Sequence, residues 1–320
     1  MLTTPDQTPY RSLARQVTAN MLSADILALF PACRAWLEAH TADLREWQIA
    51  LPLAACLAAG GSTEDGLAVA SAWCSFCLAA VILDHVEDGE FTPDDLVSTA
   101  GQAANLGTAL IFLCFHHLAA IQDPGGAAHA GAVFSGQGFS ATGGQARSLA
   151  AAPSTALSVD EALEAYWQEI ILKSGCVYRA AAAGGAAAGG ADESVMTGLG
   201  KYGTAMGVIV QLLDDGADLL KTSEEDVIEA WEVSLPLLLY LLATGEQQVV
   251  FPAAHTRAEW QARLREAGVV EAFSAILLQW QARALESLQG LSLSPEGKKM
   301  LEEFPVLILE PVVRKDKEKE

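Results

Sequence analysis

Apolar positions recur at spacings of three and four along most of this chain, the pattern of helices that each bury one face. Residues 12–40 read as one or two such helices, and 44–59 as another, ended by Gly60-Gly61. Ser62 with Asp65 resembles an N-cap signature and opens a helix that runs to an acidic cluster at Asp84 and Asp88. Thr92-Pro93-Asp94-Asp95 predicts the next start, with acids near the positive helix end; that helix carries Asn105-Leu106-Gly107 to about residue 120. Residues 121–157 are rich in Gly, Ala and Ser, yet 127–149 keeps enough spaced apolar residues for a loosely packed helix. A capping box at Ser158 and Glu161 opens a helix to about residue 190. A further apolar run ends at Asp218, a polar loop covers 222–226, and leucine-rich helices occupy 226–244 and 257–289. No segment alternates Val, Ile and Thr as a strand would. The expectation is an all-α protein: one domain over residues 1–313, then a charged, disordered tail at 314–320.

The run Gly207-Val208-Ile209-Val210-Gln211-Leu212-Leu213-Asp214-Asp215-Gly216-Ala217-Asp218 sets three aspartates into an otherwise apolar helical stretch. Positions four apart share a helix face, so Asp214 and Asp218 aim at one point. An unpaired buried carboxylate is costly, and a cation is the simplest compensation. Carboxylates combined with phosphate oxygens and water are a common way to hold Mg2+. Asp215 lies beside them and joins the candidate metal ligands. Asp84 and Asp88 repeat the same geometry upstream, again closing an apolar helix. Two such pairs point to two walls of one metal site.

Composition narrows the partners. The 320 residues carry a formal charge of −21, which argues against nucleic acid and against an anionic membrane surface. An anionic substrate would be repelled unless metal ions mediate the contact. Six cysteines are scattered along the chain; Cys74-x-x-Cys77 has no second pair to complete a zinc site, so the reading is buried thiols in a reducing compartment. Residues 1–11 are polar and lack a signal-peptide core, and no free-standing apolar run is long enough to span a membrane. A cytoplasmic protein without membrane insertion is expected.

With both acidic runs in place, the chain from about residue 45 to 245 resembles the trans-isoprenyl diphosphate synthases, the polyprenyl synthetase family. Asp214-Asp215-Gly216-Ala217-Asp218 is similar to the family's second Asp-rich motif, with Gln211 at the preceding Gln. Tyr202-Gly203 and Gly207 match the glycine pattern upstream, Lys173-Ser174-Gly175 the Lys-Thr motif, Gly144-Gln145 the Gly-Gln motif, and Leu235-Pro236 a later landmark. The resemblance implies the isoprenoid synthase fold, a single helical bundle around a central cavity, and a homodimer. It also implies ionisation of an allylic prenyl diphosphate by Mg2+ held on Asp84, Asp88, Asp214, Asp215 and Asp218. Lys173 would contact the diphosphate, Lys221 would assist, and Gln211 would position a metal-bound water or a phosphate oxygen.

The departures share a direction. The first motif reads Asp84-His85-Val86-Glu87-Asp88, and Gly89-Glu90-Phe91 comes next where family members carry two arginines. The region of the family's Gly-Lys-Arg segment, 42–52, offers only Arg45, and Glu232 stands where the later pattern has Lys. The allylic diphosphate site is kept while the cationic pocket for isopentenyl diphosphate is largely lost. An unchelated diphosphate needs such cations. The leading expectation is therefore a terpene-synthase-like enzyme with one diphosphate substrate. The alternatives are a prenyltransferase, either elongating or with a non-diphosphate acceptor, and a non-catalytic partner subunit. His85, one residue off the Asp84 face, is read as pointing away from the site, with a weak metal ligand or a base near the cation as the alternative; Glu87 is read as solvated or standing behind the ligands.

Trp73, Phe76, Phe112 and Phe115 are candidates to line the cavity for the carbocation. In the resembled family, bulky residues four and five positions before the first Asp close the hydrocarbon pocket; here these are Ala80 and Ala79. Phe76, roughly 12 Å along the helix from Asp84, would floor a three-unit tail and Trp73 a four-unit one. Farnesyl or geranylgeranyl diphosphate is expected over geranyl diphosphate.

Overall fold

The computed structural model describes residues 10–150, 157–216, 233–251 and 256–317. Among these, every regular element is helical, and an isolated β-bridge joins Ser158 to Gln248. The region 12–40 divides into α1 (Arg11–Leu22), a 3₁₀ turn at Asp25–Leu29 and α2 (Pro31–His40). Pro31 lacks the N–H that would continue the preceding turn and starts the new helix instead. Next comes α3 (Glu46–Ala58).

Helix α4 (Thr63–Glu87) is capped as its sequence predicts, with Ser62 Oγ accepting from Asp65 N at 3.1 Å. It is long and apolar enough to cross a membrane, but 72% of its apolar window is buried within the fold, so it serves as a core helix. It packs on α3, on α5 (Ala100–Leu118) and on α8 (Cys176–Ala188). The expected helix start at Thr92-Pro93-Asp94-Asp95 is not used. Asp94 Oδ1 instead accepts from Leu96 N and Val97 N at 2.7 and 2.6 Å, closing a local turn that competes with helix. Thr99 caps α5 through Gln102 N.

Helix α6 (Pro124–Ala150) runs unbroken through its glycines. Helix α7 (Val159–Ile170) opens with the expected Ser158–Glu161 capping box, but the helix predicted to residue 190 is interrupted by a π-helical turn at Ile171–Gly175 before α8. Helix α9 (Glu193–Asp215) lies so close to α8 that a Cβ on Gly203 would sit 2.3 Å from the Tyr178 carbonyl oxygen. On the other side of α8, Gly185 makes an equally close approach to the Pro52 carbonyl of α3.

Helix α10 (Leu235–Thr244) comes next, and the region 257–289 splits into α11 (Arg257–Glu266) and α12 (Val269–Glu286) at Gly268, whose φ of 71° is left-handed. The last helix, α13 (Pro295–Lys317), has no counterpart among the sequence expectations and packs on α3. Its backbone is helical through Lys317. Positions 318–320 lie outside the described residues.

Candidate active site

The C-terminal turns of α4 and α9 meet the π turn from two sides. Asp84 and Asp88 share one face of α4, and the Lys173 ammonium stands before both, 3.0 Å from Asp84 Oδ1 and 3.9 Å from Asp88 Oδ2. The extra residue of a π turn rotates the next part of the helix, and such turns are common at functional sites. Three glycines permit this junction. A Cβ on Gly144 of α6 would lie 2.8 Å from Leu172 Cβ, one on Gly207 of α9 would lie 2.4 Å from the Ser174 carbonyl oxygen, and one on Gly175 would lie 3.3 Å from Thr204 Cγ2. The glycine landmarks of the sequence thus bring α6 and α9 against the turn that carries Lys173.

Polar side chains extend from this point towards both walls. On the α4 side, buried Gln145 donates from Nε2 to Asp88 Oδ1 at 2.7 Å. On the α9 side, Ser174 Oγ donates to Gln211 Oε1 at 2.8 Å, and Gln211 Nε2 donates to Asp215 Oδ1 at 3.1 Å. Gln211 thus bridges Ser174 and Asp215. Asp215 Oδ2 accepts from Tyr166 Oη of α7 at 2.6 Å and from Leu235 N at 3.3 Å. Neighbouring positions on a helix project about 100° apart, and Asp214 accordingly points away from Asp215, within the field of Arg45 at the start of α3. The surrounding protein strips enough water from Asp214 to push its carboxyl above the ordinary range, opposed by Arg45 and reinforced by Asp215.

Other expected site residues separate into three groups. Asp218 and Lys221 lie outside the described residues. His85 and Glu87 lie off the face that carries Asp84 and Asp88, and both are exposed at the helix end. Phe112 and Phe115 are not cavity residues: they are 68% and 42% exposed on the outer face of α5, because Leu106, Leu110, Leu113 and Cys114 take its inward stripe.

On α4, Ala80 and Phe76 continue the four-residue spacing back from Asp84. Ala79 is buried and Ala80 half-buried, while Phe76 meets Phe134 of α6 edge to face at 5.6 Å. Trp73 has no exposed surface, and its indole Nε1 donates to Val177 O of α8 at 2.9 Å. That bond fixes Trp73 as a brace between α4 and α8.

Sequence reasoning missed Tyr166 and the pairing of Gln48 with Tyr178, in which Gln48 Nε2 donates to the Tyr178 hydroxyl. Tyr166 stands seven positions before Lys173, a two-turn helical spacing that could have drawn attention to it.

The donor set suits a hard divalent cation. Asp84 and Asp88 offer oxygens to a point that a cationic group already faces, and Gln145 Oε1 beside Asp88 is buried with no hydrogen-bond partner. Among the described residues no three His, Cys, Asp or Glu side chains converge. An ion here would complete its coordination with water and ligand oxygens, as Mg2+ does when bound by one or two carboxylates.

An all-helical bundle in which the acidic ends of two helices meet one lysine-bearing turn matches the isoprenoid synthase fold. The polyprenyl synthetase family model matches residues 51–264, and the chain belongs to that family, whose members are class I isoprenoid-synthesising enzymes. No curated protein matches the chain. Among solved structures, it is similar to a geranylgeranyl pyrophosphate synthetase from the archaeon Geoglobus acetivorans, with a TM-score of 0.76 at 20% identity over 94% of this chain and 97% of that one. It is also similar to a polyprenyl synthetase from Streptomyces coelicolor A3(2), with a TM-score of 0.76 at 21% identity over 95% and 99% of the two chains. A polyprenyl synthase from Caulobacter crescentus, complexed with calcium and isoprenyl diphosphate, matches with a TM-score of 0.70 at 18% identity over 93% of each chain.

Proposed function

We propose that this protein ionises an allylic prenyl diphosphate, with farnesyl or geranylgeranyl as the prenyl group, and that its second reactant is not a free diphosphate. The observation that carries the first part is the Lys173 ammonium poised before Asp84 and Asp88, a point where cations and diphosphate oxygens would meet. Asp84, Asp88 and Asp214, with Asp218 from the same motif, would hold Mg2+. When bound, the metal neutralises charge on the leaving diphosphate. Lys173 donates charge-assisted hydrogen bonds to the departing oxygens. Gln145 fixes Asp88 in its rotamer. Ala79 and Ala80 leave room for the first turn of the hydrocarbon tail, and Phe76 against Phe134 ends it. The Caulobacter neighbour, with its calcium and isoprenyl diphosphate, supports this ligand class.

The second part rests on the α3 side of the site. Gln48 is engaged by the Tyr178 hydroxyl, and Arg45 lies in the field of Asp214, which leaves that wall poor in free cationic donors for a second diphosphate. This favours a terpene-synthase-like reaction ended by water or proton loss, or transfer to a neutral acceptor. Family membership favours chain elongation instead. Purified protein with Mg2+ and farnesyl or geranylgeranyl diphosphate, alone and with isopentenyl diphosphate, separates the two: pyrophosphate release without isopentenyl diphosphate supports the first, and strict dependence on it the second. Asp84→Ala and Asp214→Ala should each abolish release while leaving the metal-free fold intact; full activity in both would sink the metal assignment.

The same reading includes a homodimer. Between Leu96 and Ala146, Asp123 is the only Asp, Glu, Lys or Arg in a chain of charge −21. The helices of that region, α5 and α6, expose Phe112, Phe115 and Phe139, and Phe139 is 84% exposed. A second copy meeting this uncharged face would cover those rings.

A further inference from the structure

Asp215 belongs by sequence with the metal ligands, and its surroundings place it elsewhere. Both carboxylate oxygens already accept hydrogen bonds, Oδ1 from Gln211 and Oδ2 from Tyr166 and Leu235 N. The donors come from α7, from the preceding turn of α9 and from the first residue of α10. Withdrawing Asp215 to ligate a metal would leave a buried phenol and a backbone N–H without their acceptor, at the cost of unmet buried donors. The chain of bonds continues through Gln211 to Ser174, next to Lys173.

We infer that Tyr166 and Asp215 form a positioning clamp that seats the α9 wall against the turn carrying Lys173, an assignment that rests on the diphosphate-ionising function proposed above. Tyr166 is a positioning residue: it touches neither metal nor substrate and acts through Asp215. Loss of such an outer partner typically costs about 10- to 100-fold in activity or metal affinity.

The test compares Tyr166→Phe, Asp215→Asn, their double variant and Asp214→Asn with the wild type. Manganese bound in the presence of inorganic pyrophosphate is counted by electron paramagnetic resonance, and kcat, KM and Tm are measured on the same samples. Tyr166→Phe and Asp215→Asn should keep the wild-type number of bound Mn2+ ions and lower kcat about 10- to 100-fold with little change in KM. The double variant should be no worse than the poorer single. Asp214→Asn should lose a bound ion. Loss of an ion in Asp215→Asn overturns the inference, as does an unchanged kcat in Tyr166→Phe. If the wild type neither binds Mn2+ with pyrophosphate nor releases pyrophosphate from prenyl diphosphates, the proposed function fails, and the clamp is then judged on unfolding alone. In that case Tm losses of the two single variants that do not add sustain it, and additive losses refute it.

Discussion

Replacing Gly207 by alanine tests whether close backbone packing holds the Lys173 turn in place. The new Cβ would stand 2.4 Å from Ser174 O, 2.8 Å from Ser174 C and 2.9 Å from Gly175 Cα, all of them backbone atoms that cannot swing aside as a side chain would. Relief requires α9 and the π turn to part by at least about 0.6 Å, which a close-packed interior resists. Overpacking of this kind costs roughly 1–3 kcal/mol, and the gain in helix propensity from Gly to Ala returns about 1 kcal/mol. The expected outcome is a Tm lower by about 2–4 °C, at most, for a chain of this size. Activity should suffer more than stability, because a displacement near 1 Å at a reacting centre can cost about 100-fold. A loss of kcat of roughly tenfold or more in pyrophosphate release is expected on that scale. Gly136→Ala on α6 is the control, since its Cβ would meet nothing within 4 Å. It should raise Tm slightly and leave kcat alone. Equal stability and kcat in the two variants would refute the idea that the close approach at Gly207 sets the site.

Three further outcomes are expected. His117 is buried with Nε2 unpartnered, and burial, with His116 adding to it, lowers its pKa to about 4. The native imidazole thus stays neutral while the unfolded chain takes a proton below pH 6.5, so stability is lost as pH falls from 6.5 to about 4 and then levels off. Denaturant unfolding should show this loss, about 3 kcal/mol in all, and His117→Leu should lack it; parallel pH profiles would contradict the burial of a neutral ring. Phe76→Ala opens the contact with Phe134 and should shift product or substrate preference to longer prenyl chains, and Ala80→Phe should shorten it; if chromatography shows unchanged chain length in both, the tail runs elsewhere. Phe112→Asp with Phe139→Asp should convert a dimer to monomer in light scattering, and a wild type already monomeric at micromolar concentration would remove the dimer from the proposal.

Most helices up to residue 289 were legible along the chain, because a helix is decided by interactions three and four residues apart. Ser62 and Ser158 announced their caps, and the four-residue spacing of Asp84 and Asp88 announced a shared face before any fold was known. The family resemblance rested on the order of short motifs, each of them local. Out of reach was everything that depended on which helix meets which. Asp94 sits in a plausible helix start and turns out to close a loop, since its carboxylate serves the backbone two and three residues on. Phe112 and Phe115 look like core residues by composition, but only the neighbours of α5 decide which stripe faces inward. The π turn at Ile171–Gly175 has no local signature in the pattern of apolar positions; it exists where α6 and α9 press on it at Gly144 and Gly207. Asp214 and Asp215 are chemically identical neighbours, and sequence alone assigns both to metal. A helix points adjacent residues in different directions, and this places Asp214 in the field of Arg45 and Asp215 against Tyr166 and the amide of Leu235.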